Sequence, residues 1–253
     1  HEGSFQTINS AQIKMKCLFL ITNVFALLKC ATLACPMHDA AAKGDIAGVK
    51  AELHNGVDVN TKCAVTSGSP LIIAALNSHI NMTKLLISNG ANLEEKDKFG
   101  NTSLHYTAKN GCKEIVELLI YKNADVNFKN NAGETPLDIA RNKETAALLL
   151  KNNGKYGTFF GAVSGGNVNA VNTFLNDGTD VNTKIQHGWS PMHEAAMLGH
   201  IEVAKLLISK GADINSWDGY ETPLDVSNTE SELADYLRKN GAKTGNELQD
   251  AGK

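Results

Sequence analysis

Ser69-Pro70-Leu71, Thr102-Ser103-Leu104 and Thr135-Pro136-Leu137 follow one another at intervals of 33 residues, and Ser190-Pro191-Met192 and Thr222-Pro223-Leu224 are 32 apart. Four of the five prolines of the chain fall in this one motif. Lys84-Leu85-Leu86-Ile87, Glu117-Leu118-Leu119-Ile120 and Lys205-Leu206-Leu207-Ile208 keep the same phase, as do Gly90-Ala91-Asn92, Asn123-Ala124-Asp125 and Gly211-Ala212-Asp213. Self-similarity at this period restricts the chain to an array of small stacked modules.

Each element of the repeat has a mechanical reading. Ser or Thr caps a helix with its hydroxyl, and Pro suits the first helical position, where an N–H would have no partner. Ala195-Ala196 lets a short helix approach its neighbours closely, and Gly199-His200 makes a turn. Ile201, Val203, Ala204, Leu206, Leu207 and Ile208 give a second, amphipathic helix. Gly211 supplies a left-handed stop, after which a polar stretch projects as a β-hairpin finger. One such unit cannot bury its apolar face alone, so the units must stack.

The sequence resembles the ankyrin repeat family, most closely in Ser190-Pro191-Met192-His193-Glu194-Ala195-Ala196 followed by Gly199-His200-Ile201-Glu202-Val203-Ala204-Lys205-Leu206-Leu207. The resemblance covers about residues 37–243, in seven units beginning near Met37, Ser69, Thr102, Thr135, Gly157, Ser190 and Thr222. It implies an all-α repeat solenoid of stacked helix-turn-helix units with β-hairpin fingers. It also implies that His105 and His193, at the signature position, use their imidazoles to bond backbone between units. His79 and His200 fall in the inter-helix turn.

The units starting at Thr135 and Thr222 have shortened middles, like terminal caps, and are followed by Gly154-Lys155 and Gly241-Ala242-Lys243. Val57-Asp58-Val59-Asn60-Thr61-Lys62 reappears as Thr179-Asp180-Val181-Asn182-Thr183-Lys184. The expected organisation is therefore a duplicated array: four repeats over 35–155 and three over 156–253, each ending in a cap-like unit, with a hinge near Gly154–Gly157.

Residues 1–34 read as upstream residues plus a signal peptide, Met15–Ala34. Lys14 and Lys16 precede an apolar stretch of 12 residues, Cys17–Leu28, and small residues stand at Thr32 and Ala34. Twelve apolar residues are too few for a ~30 Å hydrocarbon core, which needs ~20. Cleavage after Ala34 would leave Cys35 first, where a bacterial lipoprotein carries its lipid, although Thr32 and Leu33 depart from that signal. This reading puts the chain outside the cytoplasm, periplasmic or secreted; a leader that does not function would leave it cytoplasmic. Contact with a membrane would come only through the leader or a lipid on Cys35. Cys35, Cys63 and Cys112 remain after cleavage, at a spacing that suggests neither a disulfide framework nor a zinc site.

A net charge of −3, falling to −5 without residues 1–34, argues against nucleic acid as a partner. No catalytic motif is complete. His193-Glu194-Ala195-Ala196 begins like H-E-x-x-H but Met197 stands where the second His should be, and Gly161–Gly166 lacks the lysine and spacing of a phosphate loop. Asp58, Asp125, Asp180 and Asp213 fall in finger loops, where they satisfy turns. No cofactor, metal or enzymatic activity is expected.

What remains for function is surface. Finger tips include Val65 and Thr66, Phe99, His187 and Trp189, and Trp217 and Tyr220; Tyr106, Met197 and Leu198, with Ile73 and Leu76, lie on the face of the first helices. Large aromatics at such places suit a binding surface, or else they fold back onto their own units. The expected function is a monomeric, non-catalytic scaffold. It would bind an unidentified protein through Phe99, Tyr106, His187, Trp189, Met197, Leu198, Trp217 and Tyr220. A second reading is a secreted effector that engages host proteins. A third, from another class, is a metal-binding or enzymatic protein using His38, Cys35 and Cys63.

Overall fold

The computed structural model describes residues 35–63, 67–228 and 230–251. The leader Met15–Ala34 and the tip positions Val65 and Thr66 lie outside them. Contacts divide the chain into two compact units, 1–124 and 125–253.

The first unit holds three helix pairs: α1 (Pro36–Lys43) with α2 (Ile46–His54), α3 (Pro70–Leu76) with α4 (Ile80–Ser88), and α5 (Ser103–Asn110) with α6 (Lys113–Tyr121). The first helices pack in a row, α1 on α3 and α3 on α5, and the second helices do the same, α2 on α4 and α4 on α6. α3 and α5 start where the sequence places a hydroxyl ahead of proline or serine: Ser69 accepts the Ile72 N–H, and Thr102 closes a capping box with His105; α1 has Cys35 at that position and no side-chain cap. Fully buried Ala41, Ala74, Ala75 and Ala108 keep the row close, and Leu71, Met82, Leu86 and Leu119 fill the space behind it.

The second unit opens with a shortened repeat whose first helix is reduced to a turn at residues 136–139, followed by α7 (Lys143–Lys151). Then come α8 (Phe159–Ser164) with α9 (Val168–Asn176), α10 (Pro191–Leu198) with α11 (Ile201–Ser209), α12 (Pro223–Val226) with α13 (Glu232–Lys239), and α14 (Gly245–Asp250). α10 packs between α8 and α12, and α9 against α11. Phe159, Val163, Val171, Met192, Val203, Leu207, Leu224 and Leu237 form the core. Gly199 ends α10 with φ 73°, and Gly211, at φ 87°, is the stop expected from the sequence. The duplication boundary expected at 155/156 lies inside this unit, and Gly157 N–H, just past it, donates to Asp138 Oδ2 at 2.7 Å.

The fingers close as short hairpin loops, most of them of three residues with a left-handed glycine. Asp97 N–H donates to the Asn101 carbonyl at 3.1 Å, Asn130 to Glu134 at 2.9 Å, Ile185 to Trp189 at 3.0 Å and Asp218 to Glu221 at 3.3 Å. No strand forms among the described residues. Carboxylates and amides finish each turn instead, as in Asp58, Asp125, Asp180 and Asp213, whose Oδ1 atoms accept the N–H two residues on.

Candidate interaction surface

The histidines hold repeats together. Ser190 N–H donates to His193 Nδ1 at 3.2 Å, which leaves the proton on Nε2, and Nε2 donates to the Glu221 carbonyl at 3.2 Å in the next repeat. His38 makes the matching bond to Gly68 O at 3.1 Å. Burial holds both imidazoles below their ordinary pKa, so both are neutral donors. The turn histidines reach the other way. His79 Nε2 lies 2.9 Å from Ala42 O, and His200 Nε2 lies 2.9 Å from Ser164 O, so each covers the last carbonyls of the preceding first helix. In the third repeat Cys112 replaces that histidine, and Asn110 Nδ2 takes over by donating to Leu76 O at 2.7 Å.

Aspartate replaces the signature histidine in the two shortened repeats and inverts the chemistry. Asp138 accepts from the Thr135 N–H (2.7 Å) and hydroxyl (2.6 Å), from Gly157 N–H (2.7 Å), and from the Thr158 N–H (3.0 Å) and hydroxyl (2.7 Å). Asp225 likewise accepts from Thr222 and from Gly245 N–H at 2.7 Å. A histidine grips the next repeat by its carbonyl; an aspartate grips the amide N–H groups that open the following helix, where negative charge is favoured. The shortened repeats are thus followed by α8 and α14. The sequence signal for α14 is the capping box Thr244-x-x-Glu247, which falls past the limit of the recognised repeats.

Three of the expected contact residues turn inward. Trp189 is half-buried: its ring stacks on His193 at 4.9 Å between centroids, and its Nε1 donates to Glu194 Oε2 at 2.9 Å. Glu194 Oε1 also accepts from Ser164 of the preceding repeat at 2.6 Å. Trp217 is half-buried against Gly245, where a β-carbon would collide with the indole. Tyr106 is half-buried as well. Its hydroxyl donates to Asp97 Oδ2 at 2.5 Å, and burial, then that carboxylate, push its pKa up.

The remaining expected residues point outward. Phe99 is 57% exposed beneath the Lys98 ammonium, 5.0 Å from the ring centre, and Tyr220 is 83% exposed. Their backbones are fixed although their rings are not: Asp97 Oδ1 accepts Phe99 N–H at 2.9 Å, and Asp218 Oδ1 accepts Tyr220 N–H at 2.8 Å. His187, Met197 and Leu198 are exposed, and so is Ile185, which the sequence reading passed over. Ile73 is partly buried against the core of the first unit. Adjacent fingers are tied at their bases, with Lys184 Nζ donating to Trp217 O at 3.2 Å and His193 to Glu221 O.

The third reading finds two of its residues together, since Cys35 and Cys63 bring their sulfurs to 3.6 Å, but His38 is engaged by Gly68. Among the described residues no group of three or more His, Cys, Asp or Glu side chains could hold a metal ion. Nor is any helix among them long and apolar enough to cross a membrane.

The sequence pattern described as Ankyrin repeats (3 copies) matches residues 37–130, 89–158 and 159–247. The chain belongs to the ankyrin repeat family. The chain is also similar to human transient receptor potential cation channel subfamily A member 1, 32% identical over 186 residues that make up 64% of this chain. The mouse B-cell lymphoma 3 protein homolog is 32% identical over 113 residues, or 45% of this chain. The chain spans only 16% and 25% of the lengths of those two relatives. Among solved ankyrin repeat structures, the human ASB11 domain is 25% identical with a TM-score of 0.52, covering 83% of this chain and 99% of that one. The Bcl-3 domain is 23% identical with a TM-score of 0.50, covering 81% and 98%.

Proposed function

We propose that this chain is a non-catalytic scaffold that binds a protein partner through the fingers and first-helix face of its second unit. The observation that carries this is the split among large side chains of residues 185–220. Trp189 and Trp217 are taken up by packing, whereas Ile185, Met197, Leu198 and Tyr220 stay exposed on backbone already fixed by hydrogen bonds. A surface of this kind loses little conformational entropy on binding. Phe99 offers a smaller contact of the same type in the first unit. The scaffold acts as a monomer outside the cytoplasm, periplasmic or secreted, on the strength of the leader Met15–Ala34, and its partner is a protein, not a nucleic acid.

The test compares the full chain with a variant carrying Ile185→Ser, Met197→Ser, Leu198→Ser and Tyr220→Ser, matched for helicity and melting point. A partner captured by the native surface and purified should bind the variant at least ~30-fold more weakly, the loss of one hot spot. Equal binding of every captured protein by both forms would overturn the assignment. Mass spectrometry of the amino terminus tests export: cleavage leaves Cys35 first.

A further inference from the structure

We propose that Cys35 and Cys63 are a disulfide-forming pair that staples the start of the first repeat to the turn ahead of the second. Cys35 is the N-cap of α1, and its Sγ lies 3.6 Å from Cys63 Sγ although 28 positions separate them. Cys63 is held in place independently: its N–H donates to Gly68 O at 3.2 Å, its carbonyl accepts the Ser67 N–H at 2.8 Å, and His38 of α1 grips Gly68 O at 3.1 Å. Cys35 is fixed as well, its carbonyl accepting the His38 and Asp39 N–H groups at 2.9 and 3.0 Å, and the sulfurs have to close from 3.6 Å to a bond of about 2.05 Å. The two thiols differ in access, Cys35 being partly exposed and Cys63 buried.

The oxidant is a small disulfide such as oxidised glutathione. The Cys35 thiolate attacks one of its sulfurs, forming a mixed disulfide and releasing one glutathione thiolate. The Cys63 thiolate then attacks Cys35 Sγ and expels the second glutathione. Two thiols become one disulfide, the oxidant becomes two thiols, and the two protons end on glutathione. A lipid thioether on Cys35 and this bond exclude each other. The pairing rests on the first unit's geometry alone and not on the scaffold reading.

The full chain, purified under reductant and then given oxidised glutathione, should yield a non-reduced peptide pair joining Cys35 to Cys63, lighter by two hydrogens, with Cys112 still open to alkylation. Melting of the first unit should rise by roughly 10 °C over the reduced form, as closing a loop of this size restricts the unfolded chain. Cys35→Ser and Cys63→Ser should each abolish both effects; if the buried Cys63→Ser variant fails to fold, the Cys35→Ser variant supplies the comparison. Linkage of either cysteine to Cys17, Cys30, Cys112 or a second chain would overturn the pairing. So would both remaining alkylatable while the oxidant is consumed elsewhere.

Discussion

His193 Nε2 meets the carbonyl oxygen of Glu221 at 3.2 Å, and the same ring accepts the Ser190 N–H on Nδ1. One neutral imidazole thus satisfies a donor in its own repeat and an acceptor in the next. His193→Ala would leave both groups unpaired, the Ser190 N–H in a buried place, and take the stacking partner from Trp189. The expected cost is about 2–4 kcal/mol, read as a lower urea midpoint. His193→Asp should be at least as damaging despite the natural aspartates at 138 and 225, because it would set a carboxylate against the Glu221 carbonyl where those two meet N–H groups.

Acid should weaken the protein through the same rings. His38 and His193 sit below the ordinary imidazole value of 6.5 because burial penalises the cation. A lowered pKa in the folded chain means the unfolded chain binds protons first. The stabilisation is therefore complete above about pH 6.5 and is lost as the pH falls from there through the folded value. Glu221 works in the opposite sense, since burial, then Asp218 and Asp225, raise its carboxyl. The ring-proton resonances of His38 and His193 separate the two effects. Each should titrate with a midpoint under 6.5, and the urea midpoint should be lower at about pH 5.5 than at about pH 8.

The Asp138 carboxylate draws on five hydrogen bonds and leaves no room beside it, because a β-carbon at Gly161 would collide with Oδ1. Asp138→Asn places an NH2 group against the N–H groups of Gly157 or Thr158, and should cost about 2–4 kcal/mol. Gly161→Ala should be destabilising in the native background and clearly less so beside Asp138→Gly, which removes every atom of the obstructing side chain, its β-carbon at 2.7 Å included. A double-mutant cycle of unfolding free energies measures this coupling; additive costs would show that the two sites do not meet.

Helix pairs, caps and the histidine contacts were readable from the sequence because each depends on neighbours at fixed spacing, and the repeat reports that spacing directly. Ser190, Pro191 and Gly199 each act within a few positions of where they stand, and His193 reaches the next repeat at Glu221, about one period on. Asp138 and Asp225 were harder: a carboxylate in the histidine's place reads as a departure until its partners, 19 or 20 positions on, are known. Cys35 and Cys63, which the sequence offered only as a metal-binding or enzymatic set with His38, gave no sign of their close approach, because it depends on where the chain after α2 lands, which no periodicity encodes. The tryptophans were ambiguous for a similar reason. A finger-tip position establishes that a side chain can reach solvent, and only the tertiary positions of His193, Glu194 and Gly245 decide whether it does.

That distinction separates residues that hold the second unit from residues it offers. Trp189 stacks on His193 and hydrogen-bonds Glu194, so Trp189→Ala loses packing and leaves the bridge to Ser164 half-made. It should cost about 2 kcal/mol or more. Trp217→Ala removes the indole from over Gly245, and should speed amide exchange in α14 before it affects the rest of the unit. Tyr220, by contrast, is held through its backbone and exposes its ring. Tyr220→Ala should change stability by no more than about 0.5 kcal/mol. Differential scanning calorimetry on the three variants, with hydrogen exchange on the second, checks the ordering. A Tyr220→Ala variant as unstable as Trp189→Ala would mean that its ring packs in solution and is not available to a partner.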